Sequence, residues 1–310
     1  MHGGGFFYAM KVLREIVLAL VISAGSLVAG DEGLRVVALH PILADWAQQV
    51  GGERVEVFSL VPPGVDPHFF EPTPQDLRRM SESDLLLAIG LGYETYLPKL
   101  KDAVGSRIQL VSLGEVLPNL VHGACEHADH DEEHHHHSDW DPHWWHGLEQ
   151  AEAAVEVLRE RFTAADPEGG ALYREQAAKY LEDLGELRRW AALEIAALPR
   201  ARRVLVLSHD SLAYFARDFH FEVFPVAGIS PEDQPGARQL RQLIDEIRTR
   251  RIPAVFVGNM ENPRVLQELT RETGATSGGV LFMDGLAEGE AASYLGMYRH
   301  NVSTIVRALQ

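Results

Sequence analysis

Apolar residues along this chain switch repeatedly between a strand-like run and a helical spacing. Residues 34–39 (LRVVAL) predict a β-strand, and residues 41–50 place Ile42, Leu43, Trp46 and Val50 on one helical face. Residues 55–61 predict a second strand, closed by Pro62-Pro63-Gly64. Residues 73–80 predict a short helix with Thr73 as cap and Pro74 in its first position. Residues 85–89 form an unbroken apolar strand that stops at Gly90. This alternation predicts an α/β fold with parallel sheets.

After a stretch without apolar period, residues 147–162 resume as a helix. Residues 171–198 are the longest periodic segment, with Tyr173, Ala177, Tyr180, Leu184, Leu187, Ala191, Ile195 and Leu198 three or four apart, ending at Pro199. A helix of this length spans roughly 40 Å, enough to cross two lobes. A second α/β pattern follows. Strands are predicted at 204–207, 222–226, 254–257 and 280–283, and helices at 211–218, 239–248, 263–273 and 293–309. The domain reading is therefore a first lobe over 31–168, a linking helix over 169–199 and a second lobe over 200–310.

The stretch without period is chemically the most distinctive. Residues 121–147 (VHGACEHADHDEEHHHHSDWDPHWWHG) hold nine of the fifteen histidines. Imidazoles at this density, mixed with Asp and Glu, suit a borderline divalent cation. Such a segment cannot build a core, so a disordered loop over 122–140 is expected. His127, His130, His134, His135, His136 and His137 are candidates for an auxiliary, weaker metal site. Cys125, the single cysteine, excludes an internal disulfide; it reads as a bystander rather than a thiolate ligand.

Composition adds less. The chain is 46% hydrophobic and 24% charged, as in soluble globular proteins, and its net charge of −17 argues against nucleic acid as a partner. Lys11 and Arg14 precede an apolar run over 16–22, and Ala29-Gly30 offers a cleavage site. Residues 1–30 thus read as a secretory signal peptide. With no cysteine directly after that run, a periplasmic protein without a lipid anchor is expected.

Placement against the strands selects the candidate ligands. His209 stands two residues past the strand at 204–207, Asp284 directly follows VLFM, and His68 lies in the loop after 55–61. In open parallel sheets ligands bind beyond the carboxyl ends of the strands. His68 can then face His209 and Asp284 across two lobes, and His143 can close the set. Three imidazoles and a carboxylate suit tetrahedral zinc; calcium and magnesium want more oxygen, and manganese a larger share of carboxylate. Asp66 and Asp141 stand close enough in sequence to help from behind. Each residue also has a structural reading: His68 packed beside Phe69-Phe70, His143 stacked among tryptophans, His209 near a helix cap, Asp284 in a turn before Gly285. His40 is a reserve candidate that reads as structural, and His220 and His300 read as helix-end or surface residues.

At these residues the chain resembles the periplasmic zinc-binding proteins of ABC importers, the ZnuA-like group of the cluster A-I solute-binding proteins. The matching pieces are GVDPHFFEPTPQDLRRMSESDLLLAIGLGYE, DPHWW, LSHDSLAYFARDF, GISPEDQPGARQL, ETGATSGGVLFMDGL and SYLGMYRHNV, in the family's order. The resemblance implies two α/β lobes joined by one long rigid helix, with Zn2+ held between them by His68, His143, His209 and Asp284. It further implies a monomer that catalyses nothing and delivers the ion to a membrane permease. A histidine at 209, where manganese carriers place a carboxylate, favours zinc. Val257-Gly258-Asn259 stands where many relatives have a strand followed by Glu, and some zinc members replace the Asp by water or Glu. Two other classes stay open: a secreted mononuclear zinc hydrolase, although no HExxH motif is present, and an adhesive protein stapled by zinc. The same fold carrying Mn2+ is the nearer alternative.

Overall fold

The structure, a computed structural model, describes residues 33–104, 108–123, 139–231, 235–260 and 264–310. The expected signal peptide, Cys125 and the six histidines at 127, 130 and 134–137 lie outside the described residues.

Strands β1 (Leu34–Ala38), β2 (Val55–Ser59), β3 (Leu85–Ala88) and β4 (Gln109–Ser112) form one sheet in the order β2-β1-β3-β4. Strands β5 (Val204–Leu207), β6 (Glu222–Pro225), β7 (Ala254–Gly258) and β8 (Thr276–Leu281) form another in the order β6-β5-β7-β8. Every pairing is parallel. In both sheets the chain leaves the first strand to one side and returns to the other. That reversal opens a crevice beyond β1 and β3 in one half, and beyond β5 and β7 in the other.

Helices α1 (Pro41–Gly51), α2 (Pro74–Ser81), α3 (Leu97–Val104) and α4 (Leu148–Ala165) accompany the first sheet; α6 (Ala213–Phe219), α7 (Ala237–Arg250), α8 (Arg264–Thr273) and α9 (Tyr294–Leu309) accompany the second. Between them runs α5 (Gly170–Ala196), 27 residues long and so roughly 40 Å in length. Its buried stripe from Tyr173 to Ile195 follows the apolar spacing of the sequence. The α2 start also follows it, with Thr73 and Asp76 forming a reciprocal capping box.

One buried hydrophobic cluster includes Leu34 and Val36 of β1, Trp46 of α1, Tyr180 and Leu187 of α5, Leu205 of β5 and Ile305 of α9. The halves therefore share a core along α5.

Three departures from the sequence pattern have physical causes. α3 and β4 carry no distinct signal, because one is eight mixed residues and the other a four-residue edge strand with a single fully buried position. β8 begins at Thr276 rather than 280: pairing with β7 draws the glycine-rich TSGG into the sheet. Gly278 is needed there, since a Cβ would stand 2.5 Å from the Phe256 ring. Finally, the histidine-rich run has an ordered base. His122 and Trp140 form an antiparallel bridge, and their rings stack with centroids 4.0 Å apart. Residues 122, 123, 139 and 140 of the expected disordered loop are thus ordered, and residues 124–138 lie outside the described residues.

Asp166, at the junction of α4 and α5, ties this frame together. It pairs with Arg54 after α1 and accepts from the Tyr173 hydroxyl at 2.6 Å. The Arg54 guanidinium, opposed by desolvation and aided by Tyr173, holds its carboxyl down to about 2. A carboxylate lowered in the folded state contributes stability above its unfolded value near 3.9, and loses it as pH falls through about 2. Asp166→Asn is expected to cost about 1–2 kcal/mol at neutral pH, measured by urea unfolding, with the difference from wild type shrinking between pH 4 and 2.

Candidate metal centre

The repeated Asp-Pro-His motif builds the same local device twice. In the single 3-10 turn Pro67–Phe69, Asp66 Oδ1 accepts the His68 backbone N–H at 2.9 Å. Ahead of the turn Trp144–His146, Asp141 Oδ1 accepts the His143 backbone N–H at 2.8 Å. At His143 the same oxygen also meets ring Nδ1, again at 2.8 Å. His209 leaves β5 at its carboxyl end, and Asp284 follows β8 after Phe282 and Met283.

These four residues converge. One donor atom from each of His68, His143, His209 and Asp284 lies within 4.8 Å of every other. A single oxygen, Asp284 Oδ1, lies 3.1 Å from His209 Nε2, 3.3 Å from His68 Nε2 and 3.6 Å from His143 Nε2. His143, His209 and Asp284 are buried, and His68 is partly so.

The protonation pattern is informative. A carboxylate only accepts, so His143 carries its proton on Nδ1 toward Asp141 and turns the Nε2 lone pair inward. That nitrogen is buried and has no hydrogen-bond partner. A bare lone pair facing a carboxylate oxygen is unfavourable on both sides, and a cation between them removes the conflict. Burial pushes the His143 imidazole down, with Asp141 pulling the other way, so the ring is neutral at neutral pH. Burial would push Asp284 up, but His209 and His68 hold it well below the usual carboxylate range, and it is ionised. His143 thus offers a neutral nitrogen beside the anionic oxygen of Asp284, a pairing suited to a divalent ion.

Aromatic rings wall the site. Tyr93 packs against His68 and His143 with centroids 4.8 and 5.8 Å away, and Trp145 lies 5.2 Å from His143. A cavity of about 390 Å3, lined by Phe69, Tyr93, Tyr96, Trp140 and Ile229 among others, adjoins His68. A larger one of about 790 Å3 lies at the opposite ends of β5 to β7, among Arg200, Arg203 and Arg251, away from the four donors.

The remaining histidines separate cleanly. His40 is fully buried but stands outside the donor group: it caps α1, its Nδ1 accepting from the Ile42 N–H at 3.3 Å. Burial pushes it down to about 3. His220 ends α6 in the left-handed conformation. His300 is not at a helix end; it lies within α9, with Nε2 3.0 Å from the Val280 carbonyl. Sequence reasoning missed His146, which is buried, lowered by burial to about 4, and hydrogen-bonded to the Met283 carbonyl. It missed Glu94 as well, whose carboxylate turns back to the Ile89 and Gly90 N–H groups and is pushed up to about 7 by burial. Neither residue repeats a motif or adjoins a strand end, so no local pattern marks them.

The chain's likeness to known proteins can be set beside this geometry. Residues 36–308 match the family model described as zinc-uptake complex component A, periplasmic. The chain is 33% identical over 296 residues to the manganese-binding lipoprotein MntA of Bacillus subtilis, covering 93% of each. It is 28% identical over 317 residues to the zinc-binding protein TroA of Treponema pallidum, covering 96% of this chain and 99% of TroA. The solved structure of TroA superposes with a TM-score of 0.81 at 27% identity, over 89% of this chain and 99% of that one. A manganese-bound periplasmic metal-binding protein from candidatus Liberibacter asiaticus gives 0.79 at 25% identity, over 89% and 100%. With its paired parallel sheets, its long helix and the match over nearly all its length, the chain belongs to the zinc-uptake component A family, the metal-binding substrate-binding proteins of ABC importers, which are not enzymes.

Proposed function

We propose that this protein captures Zn2+ outside the cytoplasmic membrane and delivers it to the permease of an ABC importer. Nε2 of His68, His143 and His209 and a carboxylate oxygen of Asp284 are the ligands. One observation carries the reading: three imidazole nitrogens surround one carboxylate oxygen at 3.1 to 3.6 Å. Ligands bound tetrahedrally at zinc distances stand about 3.3 Å apart, so the carboxylate oxygen already stands near ligand spacing from each imidazole, and the four donors, within 4.8 Å of one another, draw in around the ion. A shell of four protein ligands leaves no open position for an activated water, as befits a carrier.

The ion arrives and leaves as cargo. Residues 31–168 and 200–310 act as two lobes on the α5 frame, and their shared core keeps their motion small. The protein works as an exported monomer, freed of residues 1–30 and without a lipid anchor. Histidines 127, 130 and 134–137 gather zinc more weakly than the four-ligand centre. Mn2+ as cargo is the second reading, favoured by the similarity to manganese-binding MntA. The three-nitrogen donor set favours zinc over it, because manganese prefers a larger share of carboxylate.

The test is a competition titration of Zn2+ against Mn2+ on metal-free protein. Tighter one-to-one binding of zinc is expected, and a preference for manganese refutes the assignment. In calorimetry, His68→Ala or His209→Ala is expected to weaken zinc binding far more than deletion of residues 126–138; equal losses contradict that ranking. Asp141→Asn removes the anionic partner of His143 and is expected to lower zinc affinity roughly ten- to a hundred-fold. Protons compete with zinc for the imidazoles, and burial lowers His143, so affinity should hold near neutrality and fall only as pH drops well into the acid range. An affinity independent of pH from neutrality down to about 4 runs against imidazole ligation.

A further inference from the structure

The segment bearing Asp284 is held at three successive carbonyls. Asn301 of α9 brackets Phe282, accepting its N–H at 2.9 Å and donating to its carbonyl at 2.7 Å. The next two carbonyls are served from the other half of the molecule. His146 Nε2 and Trp145 Nε1 donate to the Met283 carbonyl at 2.7 and 3.1 Å. His40 Nε2 donates to the Asp284 carbonyl at 3.0 Å. The tautomers follow from the partners: a carbonyl only accepts, and His40 Nδ1 is already taken by the Ile42 N–H. Beyond Asp284 the same half continues the contact, with the Gly64 N–H donating to the Leu286 carbonyl at 3.0 Å.

We infer that His40 and His146 are positioning residues of the metal centre. By fixing the Met283 and Asp284 carbonyls from across the molecule, they make Asp284 present one oxygen to the three imidazoles and so favour a four-coordinate ion over one with a wider, oxygen-rich shell. The inference rests on the ligand set proposed above. Its physical basis is where the donors come from. A loop that needed only its own carbonyls satisfied could use neighbouring groups. Here two buried imidazoles and an indole reach over from the cap of α1 and the turn before α4. They lock the carboxylate-bearing loop to the half that supplies His68 and His143. A loop clamped in this way resists the swing that brings the second carboxylate oxygen, or added water, into the shell. Manganese loses more from that restriction than zinc.

The experiment compares His40→Phe and His146→Phe, which keep a ring but lose the donor, with His40→Gln and His146→Gln, whose amide nitrogen restores one. Each Phe variant is expected to bind Zn2+ roughly ten- to a hundred-fold more weakly, with a smaller loss for Mn2+. The zinc-to-manganese ratio thus narrows, and the Gln variants recover it. Phe variants that keep the wild-type ratio overturn the inference. The wild-type protein gives an independent check that needs no variant to fold: long-range 1H–15N spectra should show His40 and His146 as Nε2–H tautomers. A proton on Nδ1 of either ring overturns it too. If wild-type protein binds no ion at all, the ligand assignment falls and this inference with it. If it binds one ion and only the ratio fails to move, this inference alone falls.

Discussion

At the heart of the molecule one carboxylate oxygen faces three imidazole nitrogens, and at least one of those nitrogens offers a lone pair rather than a proton. Such a cluster is costly without a partner, because burial removes the water that would otherwise solvate it. His143 shows the constraint most sharply. Asp141 takes its Nδ1 proton, so Nε2 is left buried and without a hydrogen bond. A divalent cation satisfies that lone pair and the Asp284 charge together. The fold gives up solvation at this point, and a bound cation would restore it, which is the physical ground for the proposed capture site.

The surrounding frame explains how four residues far apart in sequence are held to that geometry. Each comes from just beyond a strand or a turn at the crevice where the strand order reverses. The two sheets have the same order, and a single hydrophobic cluster along α5 joins them. Lobes that share a core cannot separate widely without exposing apolar surface. The clamp on the Asp284 loop acts in the same direction on a smaller scale. On the proposed ligand set, release of an ion is better accommodated by shifts near His68, the least buried of the four donors and the one lining a cavity.

Much of this was legible beforehand, for identifiable reasons. The long period of α5, the capped start of α2 and the unbroken β3 are strong local signals, and all three elements form. The repeat of Asp66-Pro67-His68 as Asp141-Pro142-His143 is visible in the sequence, and the structure shows the same Asx-type turn in each. What stayed hidden depends on tertiary partners. TSGG becomes strand only because β7 pairs with it. His40 and His146 look like ordinary histidines until the carbonyls of Met283 and Asp284 arrive from more than a hundred residues away. Single-residue placement cannot disclose a contact whose other half is backbone.

X-ray absorption at the zinc edge of the loaded protein tests the central claim most directly. The account predicts four nitrogen or oxygen neighbours at about 2.0–2.1 Å, with the outer-shell scattering of three imidazoles. A first shell with fewer than three imidazoles would contradict it.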